Sequence, residues 1–148
     1  MNTYDKYGYS FVYPENWQLD ESEMDGDEGT ITISAPSGAF WGLLIRPFGF
    51  NPDTLADDAL KTMLKEYRDI EYSRISRNIA GYTLLGYEMN FYFLDLTNTA
   101  MVLTFADESR TFAIFWQCGD QMVITSEPEP FSHEQVFDAI TTSLLRNL

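Results

Sequence analysis

Histidine and cysteine are almost missing from this chain: it has one of each, His133 and Cys118. A lone cysteine cannot close a disulfide within the chain, which excludes the disulfide-framework class of small secreted domains. One histidine and one cysteine on different elements leave zinc without a ligand set, so no metal site and no cofactor are expected. The same scarcity removes most nucleophilic catalysis. A Ser-His-Asp arrangement would have to use His133 as its base, and there is no Gly-x-Ser-x-Gly elbow, Gly-x-Gly-x-x-Gly fingerprint or phosphate loop. Basic residues are scarce as well: 9 Lys and Arg stand against 23 Asp and Glu, a formal net charge of −14. That field repels a phosphate backbone and anionic lipid, so neither nucleic acid nor membrane is an expected partner, while a basic partner or a cation is permitted. No window approaches the ~18 apolar residues of a membrane span. Met1-Asn2-Thr3-Tyr4-Asp5-Lys6 has neither a basic n-region nor an apolar h-region, and the expectation is a soluble cytoplasmic protein, or one whose export segment has been removed.

What is present is a single domain's worth of chain, 148 residues with 16% aromatics, long enough to bury a core without metal or disulfide. Residues 9–13 read as a strand that Pro14 stops, followed by a turn closed by Trp17. Residues 20–29 are acidic and glycine-rich with no apolar period and read as a solvated loop or wide hairpin tip. Residues 30–34 alternate β-branched side chains, and 40–48 follow as the second strand of a pair. Asn51-Pro52-Asp53-Thr54 opens a helix predicted over 52–69, with Thr54 and Asp57 as an alternative capping box. Residues 70–77 and 82–96 read as strands, with a break at Thr97-Asn98. Strands at 99–106 and 110–118 come next, then a tight turn at 118–121 into a strand at 122–126. Ser132 and Gln135 form a capping box, with Phe131 and Val136 as a hydrophobic staple, for a closing helix predicted over 132–147.

Strands, one helix, several consecutive strands and one helix make an α+β protein with an antiparallel sheet. Residues 89–94 and 112–116 carry large apolar side chains on both faces. Helices are therefore expected over both faces, or one face is reserved for a partner.

Tyr9-Ser10-Phe11-Val12-Tyr13-Pro14-Glu15-Asn16-Trp17 resembles the opening of the PsbP-like family: aromatic strand, proline, two residues, tryptophan. Ile79-Ala80-Gly81 before a long strand and the closing Ile140-Thr141-Thr142-Ser143-Leu144 are similar to that family's turn and last helix. The family belongs to a superfamily with the Ran-binding import factor Mog and the bacterial DcrB-like proteins, and the chain looks like a bacterial-type member. The resemblance implies an α/β/α sandwich around a central, mostly antiparallel sheet over 1–148, in a protein that binds other proteins without catalysis. Superfamily members serve as photosystem subunits, a Ran-binding factor or chaperone-like adaptors. The matching positions are core and turn residues, so no functional residue carries over, and the acidic loop 20–29 has no counterpart in the pattern.

The candidate residues follow from chemistry. Asp25, Asp27 and Glu28 supply the oxygens that calcium seeks, but the EF-hand order is absent, and a solvated hairpin tip is the favoured reading. Asp57-Asp58 suits the positive end of the helix dipole better than an acid/base dyad. His133 reads as an exposed cap-region residue, and Cys118 as an inert thiol at a strand end. Trp17, Trp41 and Trp116 are the candidate partner anchors, because aromatics are enriched at interfaces. Core packing is the favoured reading for each; a bare sheet face would turn the balance for Trp41 and Trp116. The resulting expectation is a non-enzymatic interaction module, an adaptor or chaperone-like binder, that uses an apolar surface with an acidic rim to hold a protein or peptide; a homodimer is compatible with it. The alternative is a small-ligand or cation-binding protein built on the acidic loop.

Overall fold

The computed structural model describes residues 1–119 and 132–148. The expected strand at 122–126, its turn at 118–121 and the Phe131 staple fall wholly or partly outside those residues. Among the described residues the fold is α+β: a seven-stranded sheet, a two-stranded sheet and two helices. The small sheet is a hairpin of β1 (Asn2–Lys6) and β2 (Tyr9–Tyr13). The large sheet runs in the order β3 (Gln18–Asp25), β4 (Glu28–Ser34), β5 (Phe40–Pro47), β9 (Arg110–Gly119), β8 (Leu96–Ala106), β7 (Tyr82–Phe93), β6 (Glu71–Ile79), and every pairing is antiparallel. α1 (Pro52–Glu66) follows β5, and α2 (His133–Arg146) closes the chain.

Alternation along β9 explains where the core lies. Phe112, Ile114 and Trp116 point to one face and pack with the β1–β2 hairpin and α2 residues Phe137, Ile140 and Leu144. Ala113 points to the other face and packs with Val102 and Ala100 of β8 under Leu60 and Met63 of α1. Small residues on the strands beneath α1 let the helix lie close to the sheet. Residues 112–116 are thus apolar on both faces, packing toward α2 on one side and α1 on the other. In 89–94 only Met89 and Phe91 are buried, while Tyr92, Phe93 and Leu94 are exposed, so the expected cover on both faces does not extend to that strand.

The helix ends form as their sequences dictate. Asn51 caps α1 by accepting from the Asp53 amide at 2.8 Å, with Pro52 in the first turn. The alternative capping box is not used: Asp57 accepts from the Tyr87 hydroxyl instead. α1 stops at Glu66 rather than 69, and Asp69 turns the chain with a positive φ of 55°. Ser132 and Gln135 form the reciprocal capping box of α2.

Three readings are corrected. Residues 20–29 are not a wide loop: β3 and β4 pair right up to a tight turn at Asp25–Glu28. A β-bulge between Asp20 and Glu23 shifts the register by one residue, so Leu19 and Met24, an odd number apart, both pack against the same core. The bulge erased the period-2 signal, and the edge position tolerates the acids between them. β1 was not expected; Tyr4 earns its place by stacking on Phe11 with ring centroids 5.0 Å apart. The break predicted at Thr97-Asn98 lies instead at Leu94 and Asp95, both at positive φ. Leucine at such a position is a poor turn signal, since a two-residue hairpin turn favours Asn, Asp or Gly there.

Two glycines in the sheet differ sharply in what surrounds them. At Gly86, opposite Leu103, a side-chain carbon would overlap the Val102 carbonyl, so β7 and β8 approach too closely for any other residue. At Gly42 the nearest atom to such a carbon would be 3.6 Å away, an ordinary contact. In urea denaturation, Gly86→Ala is expected to lower the unfolding free energy by about 3 kcal/mol or to prevent folding, and Gly42→Ala to change it by less than about 1 kcal/mol.

Candidate functional site

α1 touches β7, β8 and β9 but does not reach across the sheet. On its open side no described residue covers the outer faces of β4 and β5, and the step between helix and sheet forms a groove of about 440 Å³. One wall is the α1 stripe Leu55, Ala59, Thr62 and Glu66, recurring at helical spacing and continued by Tyr67. The floor is Phe40, Gly42 and Leu44, the alternate residues of β5, beside Phe115 of β9. Phe40 and Phe115 stack with ring centroids 5.8 Å apart, and neither is fully buried. Thr30, Thr32 and Gln117 supply hydroxyl and amide groups at the margin. From Leu55 to Glu66 the helical wall is roughly 16 Å long at ~1.5 Å per residue.

At the far end of the groove the apolar surface continues. Tyr67 packs on Phe91 at 4.3 Å and edge-on to Phe93 at 5.5 Å. Beyond them the β7–β8 turn exposes Phe93, Leu94 and Leu96 to solvent, Leu94 at 79%. At the near end α1 is pinned by polar contacts. Arg74 of β6 binds Asp53 at 2.6 Å, and the Tyr87 hydroxyl donates to Asp57 at 2.6 Å. The bond to Asp57 holds the Tyr87 hydroxyl above its ordinary pKa. The Asp57-Asp58 pair is therefore split, one member engaged with the sheet and the other exposed.

The residues singled out from sequence are not brought together here. Trp17, Trp41 and Trp116 are all buried on the opposite face of the sheet, where they hold α2. Trp41 donates through Nε1 to Thr141 at 2.9 Å, while Trp116 stacks on Phe137 at 5.1 Å and Trp17 meets the same ring edge-on at 5.7 Å. A side chain so placed offers nothing to a partner at the surface. Among the described residues there is a sheet surface with no helix over it, but its aromatics are Phe40 and Phe115, whose alternation places them opposite to Trp41 and Trp116. Asp25, Asp27 and Glu28 form the β3–β4 turn, and Asp27 is engaged in a short ion pair with Arg110. Among the described residues no group of three His, Cys, Asp or Glu side chains is placed to hold a metal ion. The groove itself was not legible in sequence, although the alternation Phe40-x-Gly42-x-Leu44 was a signal for its floor. No helix among these residues is long and apolar enough to cross a membrane.

No family model and no curated protein matches this chain. Among solved structures it is similar to a protein of Bacteroides thetaiotaomicron, with 16% identity and a TM-score of 0.57 over 95% of this chain. The chain covers 46% of that protein, so it spans less than half of its length. Weaker similarity links it to LpqN, a protein involved in cell envelope biogenesis of Mycobacterium tuberculosis, at 11% identity and a TM-score of 0.44 over 92% of this chain and 79% of LpqN. It also links it to PA94 of Pseudomonas aeruginosa, a protein of unknown function, at 14% identity and a TM-score of 0.44 over 81% of this chain and 83% of PA94. The likeness to the Bacteroides protein is one of fold.

His133 is a further correction. It is not an exposed cap residue but is 6% exposed, with Nε2 3.0 Å from the Ser37 hydroxyl and its ring beside Trp17 and Phe137. The first turn of α2 faces the core at this position, and its imidazole completes the cluster around Phe137. Burial pushes the His133 pKa below its ordinary value. The unfolded chain, with an imidazole pKa of about 6.5, therefore takes up the proton first as pH falls, and the stability contributed by neutral His133 is lost from there down through the lower folded value. The difference in urea-unfolding free energy between the native chain and His133→Asn is expected to be constant above about pH 7.5 and to shrink on acidification. A difference independent of pH would contradict the buried neutral imidazole.

Proposed function

We propose that this chain is a non-enzymatic binding module that holds an apolar segment of a protein partner in the groove beside α1. The observation that carries the reading is the groove: about 440 Å³ of apolar space floored by Phe40, Leu44 and Phe115, open along the flank of the sheet that no described residue covers. Its size lies in the range of ligand clefts, ~300–1,000 Å³. Its lining favours burial of side chains over chemistry: among the described residues it contains one carboxylate, Glu66, and neither histidine nor cysteine. The wall is long enough for an extended strand of roughly five residues or a short helix. Threonine hydroxyls and the Gln117 amide at the margin suit the backbone groups such a segment brings with it. The acids of α1 favour a segment flanked by basic residues. The resemblance to the PsbP-like, Mog and DcrB-like proteins points the same way, toward interaction rather than catalysis. The helices on opposite faces of the sheet accord with the α/β/α sandwich it implies, with the β1–β2 hairpin sharing the layer of α2.

Gly42 provides the test, because a larger residue fits its backbone without strain and projects into the groove. Peptides selected from a random displayed library on the native chain are expected to carry large apolar residues. In fluorescence polarisation, Gly42→Leu is expected to weaken them about tenfold or more while the thermal midpoint stays within a few degrees of native. If no peptide is enriched, or if enriched peptides bind Gly42→Leu as tightly as the native chain, the groove is not the binding site.

A further inference from the structure

The two outer strands of the large sheet are defended very differently. β3 carries Asp20, Glu21, Glu23 and Asp25, no basic residue, and a bulge between Asp20 and Glu23. Charge and bulge are the usual devices against edge-to-edge pairing. β6 has neither. Its nine residues pair with β7 without interruption from Glu71 to Ile79, and it contains no proline, no lysine and no bulge. Among the described residues nothing pairs with its outer side. In a chain of net charge −14 this edge carries two arginines against one glutamate. Two acidic copies repel each other least where such edges meet.

The sequence of β6 is also complementary to itself. Ile75 and Ile79 pack against the core on the α2 side, whereas Arg74 reaches Asp53 on the α1 side, so odd and even positions face opposite ways. A two-fold axis normal to the sheet must keep those faces aligned, which restricts an antiparallel pair of β6 strands to registers centred on a residue. Centring on Arg74 or Arg77 would set two arginines directly opposite. Centring on Ile75 sets Arg74 against Ser76 and Arg77 against Ser73, and brings Glu71 diagonal to Arg77 of the second copy, twice by symmetry. Diagonal neighbours lie within reach of long side chains. The two Arg74 side chains also become diagonal neighbours, but each is already held by its own Asp53 at 2.6 Å.

We propose that β6 is a homodimer interface: two copies pair antiparallel through this strand about Ile75, joining their sheets into one continuous sheet. The interface is separate from the groove, which lies beyond β7 and β8 on the other flank of α1.

Sedimentation equilibrium of the native chain from micromolar to millimolar concentration tests it, with substitutions at two exposed serines on the edge. A reversible dimer is expected. Ser76→Arg, which faces Arg74 of the second copy, and Ser73→Arg, which faces Arg77, should each raise the dimer dissociation constant about tenfold. Ser73→Glu should lower it by a similar factor, because it places a carboxylate against Arg77. Far-UV circular dichroism checks that each variant folds, and the opposite sign of the two Ser73 variants separates register-specific pairing from damage to the strand. Gly42→Leu should dimerise as the native chain does, so failure of the groove reading leaves this result intact. A chain monomeric throughout, or a dimer indifferent to all three charge changes, overturns the proposal.

Discussion

The placement of Phe137 governs the architecture. Its ring is held by Trp116 from the sheet and Trp17 from the turn after β2, with His133 alongside. One turn further along α2, Thr141 accepts from the Trp41 indole and donates to the Phe137 carbonyl at 2.8 Å. A buried indole N–H without a partner costs ~1–3 kcal/mol, so the bond fixes the azimuth of α2 as well as its position. With α2 and the β1–β2 hairpin committed to one face, the opposite face of the seven-stranded sheet carries, among the described residues, α1 alone. A helix about 10 Å across spans two or three strands spaced ~4.8 Å apart. The uncovered flank is therefore a geometric remainder, and the groove is its inner margin.

The distribution of polar contacts fits that division. α1 is tied down at its first turns, where Asp53 and Asp57 bind Arg74 and Tyr87, and by Leu60 and Met63 beneath it. Among the described residues its other flank, with Leu55, Ala59, Thr62, Glu66 and Tyr67, borders the groove. Acids also guard the edge strand β3, and Asp27 secures the tip of the β3–β4 hairpin to Arg110. Arg110 Nε nevertheless lies buried without a hydrogen bond, the one such side-chain atom among the described residues, so this anchorage is incompletely satisfied.

The parts of the fold visible in sequence were those whose signals are local. The Ser132–Gln135 cap, the Asn51-Pro52 start and the alternation of residues 30–34 each depend on neighbours a few positions away, and each is formed. What escaped depends on distant partners. The bulge in β3 is legible only once Leu19 and Met24 are known to face the same core. β1 has a single buried residue, Tyr4, whose value lies in contact with Phe11. His133 looks like a cap residue until Ser37, 96 positions away, is placed beside it. The tryptophans read in sequence as either anchors or core, and only the third dimension shows all three buried. Phe40, Gly42 and Leu44 carried the right alternation for a half-covered strand, but periodicity cannot tell a face that meets a helix from one that meets solvent.

The gathering of all three tryptophans around α2 has a spectroscopic consequence. Intrinsic emission from this protein reports on the packing of one face and is nearly blind to events on the other. Phe40 and Phe115, which line the floor beside α1, are silent at the wavelengths that excite indole. Quenching or a red shift would register loosening of the last helix, while occupation of the cleft across the sheet would pass without an optical trace. The molecule thus comes with an internal probe for its scaffold and a dark background for its surface, into which a single added fluorophore could be read without interference.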